Sequence, residues 1–333
     1  MEPFPPQSRH ARAPGRPREA AVTATARLHF GFLDPSGRSA RPFGSFGLSL
    51  DVPRTRLALR RAERLTVTGP ESDRAERYLR QIAESAGSEA RYALRIEEAI
   101  PPHAGLGSGT QLALAVGSAF AELEGLSLEP QEIATRLGRG ARSGIGIATF
   151  AQGGAVLDEG PRDDTLPQLA ARVPFPSDWR VLLIFDAATE GLAGADEKAA
   201  FETLPDIPAR EIEALSRAVT HGALPALAAG DFAVFCRHVG ALQARMGAYF
   251  APWQGGAYAS PLVADALGFL RNEGIVGLGQ SSWGPTGFAF VEDEAQGETL
   301  LGRLRTHCRQ PALSFALARG RNEGATVEIS GEG

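Results

Sequence analysis

The stretch Ile100-Pro101-Pro102-His103-Ala104-Gly105-Leu106-Gly107-Ser108-Gly109-Thr110-Gln111 constrains this chain more than any other. Before it, Tyr92 to Ile96 alternates apolar and polar residues, the period of a half-buried strand. After it, Leu112 to Leu123 is rich in Ala and Leu and reads as a buried helix. The two prolines stop the strand and exclude a helix between the two. The three glycines let the backbone turn sharply and approach a ligand. A glycine loop that feeds a helix start gathers unpaired N–H groups at one point, where the helix dipole adds positive potential. Such a loop serves either as a phosphate cradle or as a plain turn. It is no Walker A loop, because no Gly-Lys-Ser/Thr follows.

Composition narrows the function classes. A chain of 333 residues is long enough for two domains that share a sizeable interface. No apolar run is long enough to span a bilayer. The net charge of −5 argues against general nucleic-acid binding, so an anionic ligand would need local positive sites. Cys236 and Cys308 are far apart and match no metal spacing. They read as buried reduced thiols, which points to a reducing, cytoplasmic setting.

Residues 1–20 are rich in Pro and Arg without the apolar core of a secretory signal, and read as a disordered tail. Residues 21–165 form the first domain, with the glycine loop, and 166–333 the second. From 21 to 30, Val22, Ala24, Ala26, Leu28 and Phe30 line one face of a strand, and Arg27 and His29 share the other. Two basic residues on one face meet either solvent or an anion; the glycine-containing aromatic turn that follows favours an anion. Residues 73–86 place Tyr78, Leu79, Ile82 and Ala86 at helical spacing, and a surface helix packed on the sheet explains them.

Gly138-Arg139-Gly140-Ala141-Arg142-Ser143-Gly144 sets two arginines among small residues, a second anion site or a place of close helix packing. Residues 163–178 read as the interdomain connection. Arg180 to Asp186 is a buried strand. Gly279-Gln280-Ser281-Ser282-Trp283-Gly284-Pro285-Thr286 is a second polar, glycine-rich loop after a strand. Asp158 and Asp186 stand at strand ends, as metal ligands or as turn formers. The alternation of strands and helices predicts an α+β sandwich.

The order Pro-x-x-x-Gly-Leu-Gly-Ser at a strand-to-helix junction resembles the second motif of the GHMP kinases, whose loop wraps the phosphates of ATP. That resemblance implies an α+β, GHMP kinase-like two-domain fold: an N-terminal domain like ribosomal protein S5 domain 2 and a ferredoxin-like α/β sandwich. Two features depart from the kinases. Ser143-Gly144-Ile145-Gly146 has glycine where many of them carry a catalytic aspartate, and glycine accepts no proton. The opening block is Arg27-Leu28-His29-Phe30-Gly31 rather than Gly-Glu-His. With Gly191-Leu192, Glu197, Gln254-Gly255-Gly256 and the 279–286 run, these departures resemble the β-ribofuranosylaminobenzene 5'-phosphate synthases.

The resemblance implies a phosphoribosyltransferase of tetrahydromethanopterin biosynthesis that joins 4-aminobenzoate to 5-phosphoribosyl-1-pyrophosphate, releasing CO2 and pyrophosphate. The sequence leaves 4-aminobenzoate and 4-hydroxybenzoate undistinguished. A homodimer and Mg2+ follow as family expectations, with Asp158 and Asp186 the candidate metal ligands. Gly105, Leu106, Gly107, Ser108, Gly109 and Thr110 are expected to hold pyrophosphate, with Arg139, Arg142 and Ser143 in reserve. Arg27, His29 and Ser108 are the candidate catalytic residues, Arg27 and His29 facing the 5'-phosphate or the benzoate carboxylate. Gln280, Ser281, Ser282 and Trp283 are expected on the aryl side. A small-molecule GHMP kinase and a catalytically silent binding protein are the alternatives.

Overall fold

The computed structural model describes residues 17–37, 43–162, 165–192 and 194–332. Residues 1–16 of the expected tail lie outside them, whereas residues 17–20 already belong to the first strand. The first half contains β1 (Pro17–Asp34), β2 (Phe43–Ala62), β3 (Thr66–Thr68), α1 (Ser72–Ser85), β4 (Arg91–Glu98), α2 (Ser108–Glu124), α3 (Pro130–Arg136), α4 (Ile145–Gln152), β5 (Ala155–Asp158) and β6 (Leu169–Val173). The second contains β7 (Arg180–Asp186), α5 (Gly194–Thr203), α6 (Ala209–Arg217), a π-helical turn (Ala218–Ala223), α7 (Leu224–Ala229), α8 (Phe232–Gln254), α9 (Pro261–Asn272), β8 (Leu278–Gln280), β9 (Gly287–Val291), α10 (Glu294–His307), β10 (Leu313–Arg319) and β11 (Thr326–Glu332).

The first sheet runs β11-β1-β2-β4-β3, with β5 pairing β2 and β6 extending β5. The second runs β10-β7-β9-β8, with antiparallel pairing throughout. The division at residue 165 is not kept. The expected connection contains β6, and β11, at the far end of the chain, pairs antiparallel with β1, so both join the first sheet. β2 pairs with one edge of β1 and β11 covers the other, and a covered edge removes exposed N–H and C=O groups.

The single apolar stripe read on β1 serves two cores. Ala20, Val22 and Ala24 pack with Leu57, Leu59 and the α2 face carrying Leu112, Val116 and Phe120. Ala26, Leu28 and Phe30 pack instead with Phe288 and Phe290 of β9 and Val239 of α8. β7 likewise divides its side chains: Val181 and Leu183 face β1, whereas Leu182 and Ile184 face Leu267, Leu270 and Leu304 of α9 and α10. A strand buried on both faces reads as an unbroken apolar run, which is why 181–185 shows no alternation. Ser260 caps α9 by accepting the Val263 N–H at 3.0 Å, as the Ser-Pro start predicts. Both cysteines are buried and unpaired. No helix of the described residues is long and apolar enough to cross a membrane.

Candidate active site

β1 and α2 bring the glycine loop to the mouth of a cleft of about 580 Å³. Gly107 caps α2 at φ 80°, a left-handed conformation natural to glycine, and no side chain caps this helix end. The first N–H groups of α2 therefore have no intrahelical acceptor and remain available to a ligand. Gly105 is required for a different reason. A Cβ there would collide with the Ser281 carbonyl oxygen, so the loop lies backbone to backbone against the 279–286 segment.

The cleft is lined by Arg27, Arg74, Arg77, Arg139 and Arg142, together with His103, Gly105, Gly107, Ser108, Gly109, Thr110, Ser143 and Gly146. Among the described residues its one carboxylate is Glu197, which pairs with Arg142 at 3.0 Å. An acidic chain thus carries a strongly basic cleft. Arg27 donates from Nη1 to the Gly105 carbonyl at 2.5 Å, and its own N–H reaches the Leu106 carbonyl at 3.1 Å. Burial pushes the Arg27 guanidinium down to about 10, with Glu197 opposing, so it stays charged at neutral pH. Arg139 lies beside the loop, its Nη2 3.4 Å from Thr110 Oγ1, and its buried Nε has no partner.

Arg74, Arg77 and Tyr78 were legible as an i, i+3, i+4 face of α1, next to the buried face of Ala75, Leu79 and Ile82. The simple surface-helix reading of 73–86 missed that second face. Arg74 also pairs with Glu71 at 3.0 Å and approaches His103 Nε2 at 3.3 Å.

His29 is not a surface cation. It is only 2% exposed, and neither ring nitrogen has a partner. Burial, then the neighbouring Arg27, pushes it down to about 3, so the imidazole is neutral. Its N–H donates to Ser281 Oγ at 3.0 Å, and its carbonyl accepts from the Ser282 N–H at 3.1 Å.

The 280–283 run mostly holds other parts of the protein. Gln280 Oε1 accepts from the Ala259 N–H at 2.7 Å, and Nε2 donates to Gln254 Oε1 and the Ser282 carbonyl. Ser281 Oγ donates to the Gly105 carbonyl at 2.7 Å. The Trp283 indole packs on Phe250 and Phe201, with centroids at 4.3 and 5.6 Å. Of the four, only Ser282, at φ 55°, lines the cleft.

Asp158 and Asp186 also lie outside the cleft lining. Asp158 accepts the N–H groups of Ser45, Gly144 and Gly160 at 2.8 to 3.0 Å and so ties β2 to the start of α4 and to the turn after β5. Burial pushes it up to about 6 despite those donors. Burial would also raise Asp186, but Ser260, Thr189 and the Ala188 N–H outweigh it and hold the carboxyl below its usual range. With its single carboxylate already paired to Arg142, the cleft provides no free acidic ligand for a resident cation among the described residues. Asp265, His307 and Cys308, the described group close enough to share an ion, stand on α9 and at the end of α10, away from the cleft.

Gly146 is occupied by packing. A Cβ there would stand 3.0 Å from Thr110 Cγ2, so α4 meets α2 where the kinases carry their aspartate. Close packing and loss of the acid are thus one feature.

Comparison with known proteins agrees with this geometry. The GHMP kinases N terminal domain matches residues 73–154, and GHMP kinases C terminal matches residues 223–310. A crystal structure of homoserine kinase from Cytophaga hutchinsonii has a TM-score of 0.68 at 16% identity, covering 96% of this chain and all of that one, which shows the fold. In sequence the chain is similar to two proteins named beta-ribofuranosylphenol 5'-phosphate synthase. The one from Methanothermobacter thermautotrophicus is 30% identical over 302 residues, 84% of this chain and 90% of its own length. The one from Archaeoglobus fulgidus is 29% identical over 334 residues, 91% of this chain and 98% of its own length. The chain is therefore a member of the beta-ribofuranosylphenol 5'-phosphate synthase family, within the GHMP kinase superfamily.

Proposed function

We propose that the protein is a phosphoribosyltransferase that joins the ring carbon of 4-aminobenzoate to 5-phosphoribosyl-1-pyrophosphate, releasing CO2 and pyrophosphate in tetrahydromethanopterin biosynthesis. The observation that carries this reading is the charge of the cleft: five arginines line it, and its one described carboxylate is already paired. Such a site suits a departing polyanion and lacks the free carboxylate that hydroxyl activation would use.

In this reading the N–H groups at the start of α2 and the side chains of Ser108, Thr110 and Arg139 hold the pyrophosphate. Arg27 stabilises the charge that grows on it as the ribosyl carbon becomes oxocarbenium-like. The para-amino group activates the ring carbon that bears the carboxylate. Loss of CO2 then restores aromaticity, so no strong protein base is needed and glycine at 146 is no handicap. Mg2+ enters as the magnesium complex of the pyrophosphate substrate. The active unit is a cytoplasmic homodimer.

The relatives are named for a ribofuranosylphenol product, which supports 4-hydroxybenzoate as the other candidate acid. The test supplies purified protein with Mg2+, phosphoribosyl pyrophosphate and carboxyl-labelled 4-aminobenzoate or 4-hydroxybenzoate, and follows labelled CO2. Release that requires both substrates supports the reading, and the preferred acid identifies the aryl substrate. If folded protein releases no CO2 from either acid and instead consumes ATP with an alcohol, the kinase reading replaces it.

A further inference from the structure

A cleft built only to grip a polyanion has no use for a carboxylate, yet this one contains Glu197. Its place is set by α5. Glu197 and Phe201 stand four residues apart and so share a face of that helix. Phe201 packs on Phe32, with centroids 5.6 Å apart, and the Arg142 guanidinium lies 4.7 Å from the Phe201 centroid. Arg142 in turn makes its 3.0 Å ion pair with Glu197 through Oε2. These contacts gather Glu197, Arg142 and Phe32, all part of the cleft lining, in one corner. Arg27, Arg74 and Arg139 stand against the glycine loop instead. A Cβ at Gly107 would lie 3.2 Å from the Arg27 side chain, and one at Gly109 would lie 3.1 Å from Arg139 Nη2 and 3.8 Å from Arg74 Nη1. The two parts adjoin, since the Glu197 charge reaches Arg27. Among the described residues none donates a hydrogen bond to Glu197 Oε1, although a carboxylate accepts through both oxygens.

We propose that Glu197 selects the aromatic acid by accepting, on Oε1, a hydrogen bond from the substituent para to the acid's carboxylate. The inference rests on the aryl-acid reading above and adds the residue that recognises the ring. The ring packs beside Phe32 in the main cleft, and Arg142 holds the Glu197 carboxylate in place. In the first step a π pair of the ring bonds the carboxylate-bearing carbon to the ribosyl carbon. The bond to pyrophosphate breaks, and its electron pair leaves with pyrophosphate. The ring is now short of a pair, and the para nitrogen or oxygen carries much of the positive charge. A carboxylate at that point is opposite in sign to the charge that develops there, as the arginines are to the pyrophosphate. In the second step the bond from ring carbon to carboxylate breaks. Its electron pair returns to the ring, neutral CO2 departs, and the para substituent becomes neutral again; no oxidant or reductant enters. The para hydrogen never leaves, so Glu197 acts as an acceptor and not as a base. An amino and a hydroxyl group both donate, so the same acceptor admits either candidate acid.

The test is calorimetric titration of the full chain, with inorganic pyrophosphate present to prevent turnover, using 4-aminobenzoate, 4-hydroxybenzoate and 4-methylbenzoate. The methyl group matches the other two para substituents in size and donates no hydrogen bond. The wild type should prefer at least one donor acid over 4-methylbenzoate by about ten- to a hundredfold. Glu197→Ala should reduce that preference to within about threefold, with the circular dichroism spectrum unchanged. Glu197→Gln breaks the ion pair with Arg142 but keeps an acceptor oxygen. It should retain most of the preference in binding, while in turnover its kcat falls about tenfold or more because the charge is gone. An undiminished preference in Glu197→Ala overturns the proposal, as does a wild type with no preference. Equal loss of preference in Glu197→Gln and Glu197→Ala also overturns it, because the residue would then serve only to hold Arg142. Wild-type protein that binds pyrophosphate but none of the aromatic acids refutes the aryl-acid function itself.

Discussion

The chain contains two polar, glycine-rich loops that look alike as text, 104–110 and 279–286, and the protein uses them in opposite ways. The first leaves the N–H groups at the start of α2 facing the cleft. The second turns its polar groups inward: Gln280 holds Ala259 and Gln254, and Ser281 bridges the His29 N–H to the Gly105 carbonyl. One loop presents the site, and the other fixes its position. Side-chain polarity alone does not separate these roles; whether the partner belongs to the protein or to a ligand does.

If this division holds, substitutions beside the first loop should cost activity and those in the second stability. The largest effect is expected at Arg27. Arg27→Gln should lower kcat/KM about 100- to 1000-fold by removing the charge at the departing pyrophosphate, with the urea midpoint close to wild type; a loss below about fivefold would remove Arg27 from the chemistry. The contact between the loops comes next. Gly105→Ala forces a Cβ onto the Ser281 carbonyl from a φ of 75°, and should cost about 1–3 kcal/mol in urea unfolding. Ser281→Ala leaves the His29 backbone N–H without its acceptor and removes one of the two donors to the Gly105 carbonyl, Arg27 being the other, and should cost a similar amount. A stable Ser281→Ala with impaired catalysis would reverse the roles assigned to the two loops.

The pH dependence of stability sharpens the comparison, because one buried group, His29, is held by the second loop and another, Asp158, lies apart from both. Asp158 rises from its ordinary 3.8 to about 6, so over that interval the folded chain holds a proton the unfolded chain has released, and stability falls as pH rises. His29 falls from 6.5 to about 3, so the unfolded chain holds the extra proton, and stability rises with pH. Between about pH 4 and pH 6 the two oppose each other. Relative to wild type, His29→Gln should make the slope more negative by about 1.4 kcal/mol per pH unit, and Asp158→Asn should make it more positive by as much. Parallel curves for all three proteins would show that neither group is perturbed. The smallest effect is expected at the exposed rim: Arg77→Ala should raise the KM for phosphoribosyl pyrophosphate about two- to fivefold at low salt, a difference that high salt should erase. A rise that persists in high salt would mean a direct, desolvated contact.

Much of the fold was legible because it follows local periodicity. The stripe of Val22 to Phe30, the helix that follows the glycine loop and the buried strand Arg180 to Asp186 all came from residues within one element. The split of β1 between two cores was not, since Ala24 and Ala26 are identical residues in one unbroken alternation. Nor was the pairing of β11 with β1, which lies some 300 residues away in the chain. In the site, the glycine loop and Arg27, Arg139 and Arg142 were read from glycines and cations beside each other in sequence, and all line the cleft except Leu106, whose apolar side chain is buried in the core instead of facing a ligand. Arg74 and Arg77 were missed: their shared face on α1 could be read from spacing, but that it turns toward the glycine loop depends on how α1 packs against α2.

By itself the sequence determined the glycine loop, the strand–helix alternation and the absence of an acid at position 146, because each is a matter of residue type and short-range spacing. Only the tertiary structure decided that His29 is buried, neutral and unpartnered, that Gln280 and Ser281 brace the loop, and that Asp158 and Asp186 bind N–H and hydroxyl donors. Those outcomes depend on desolvation and on hydrogen-bond partners brought from distant parts of the chain, and neither is a property of any local stretch.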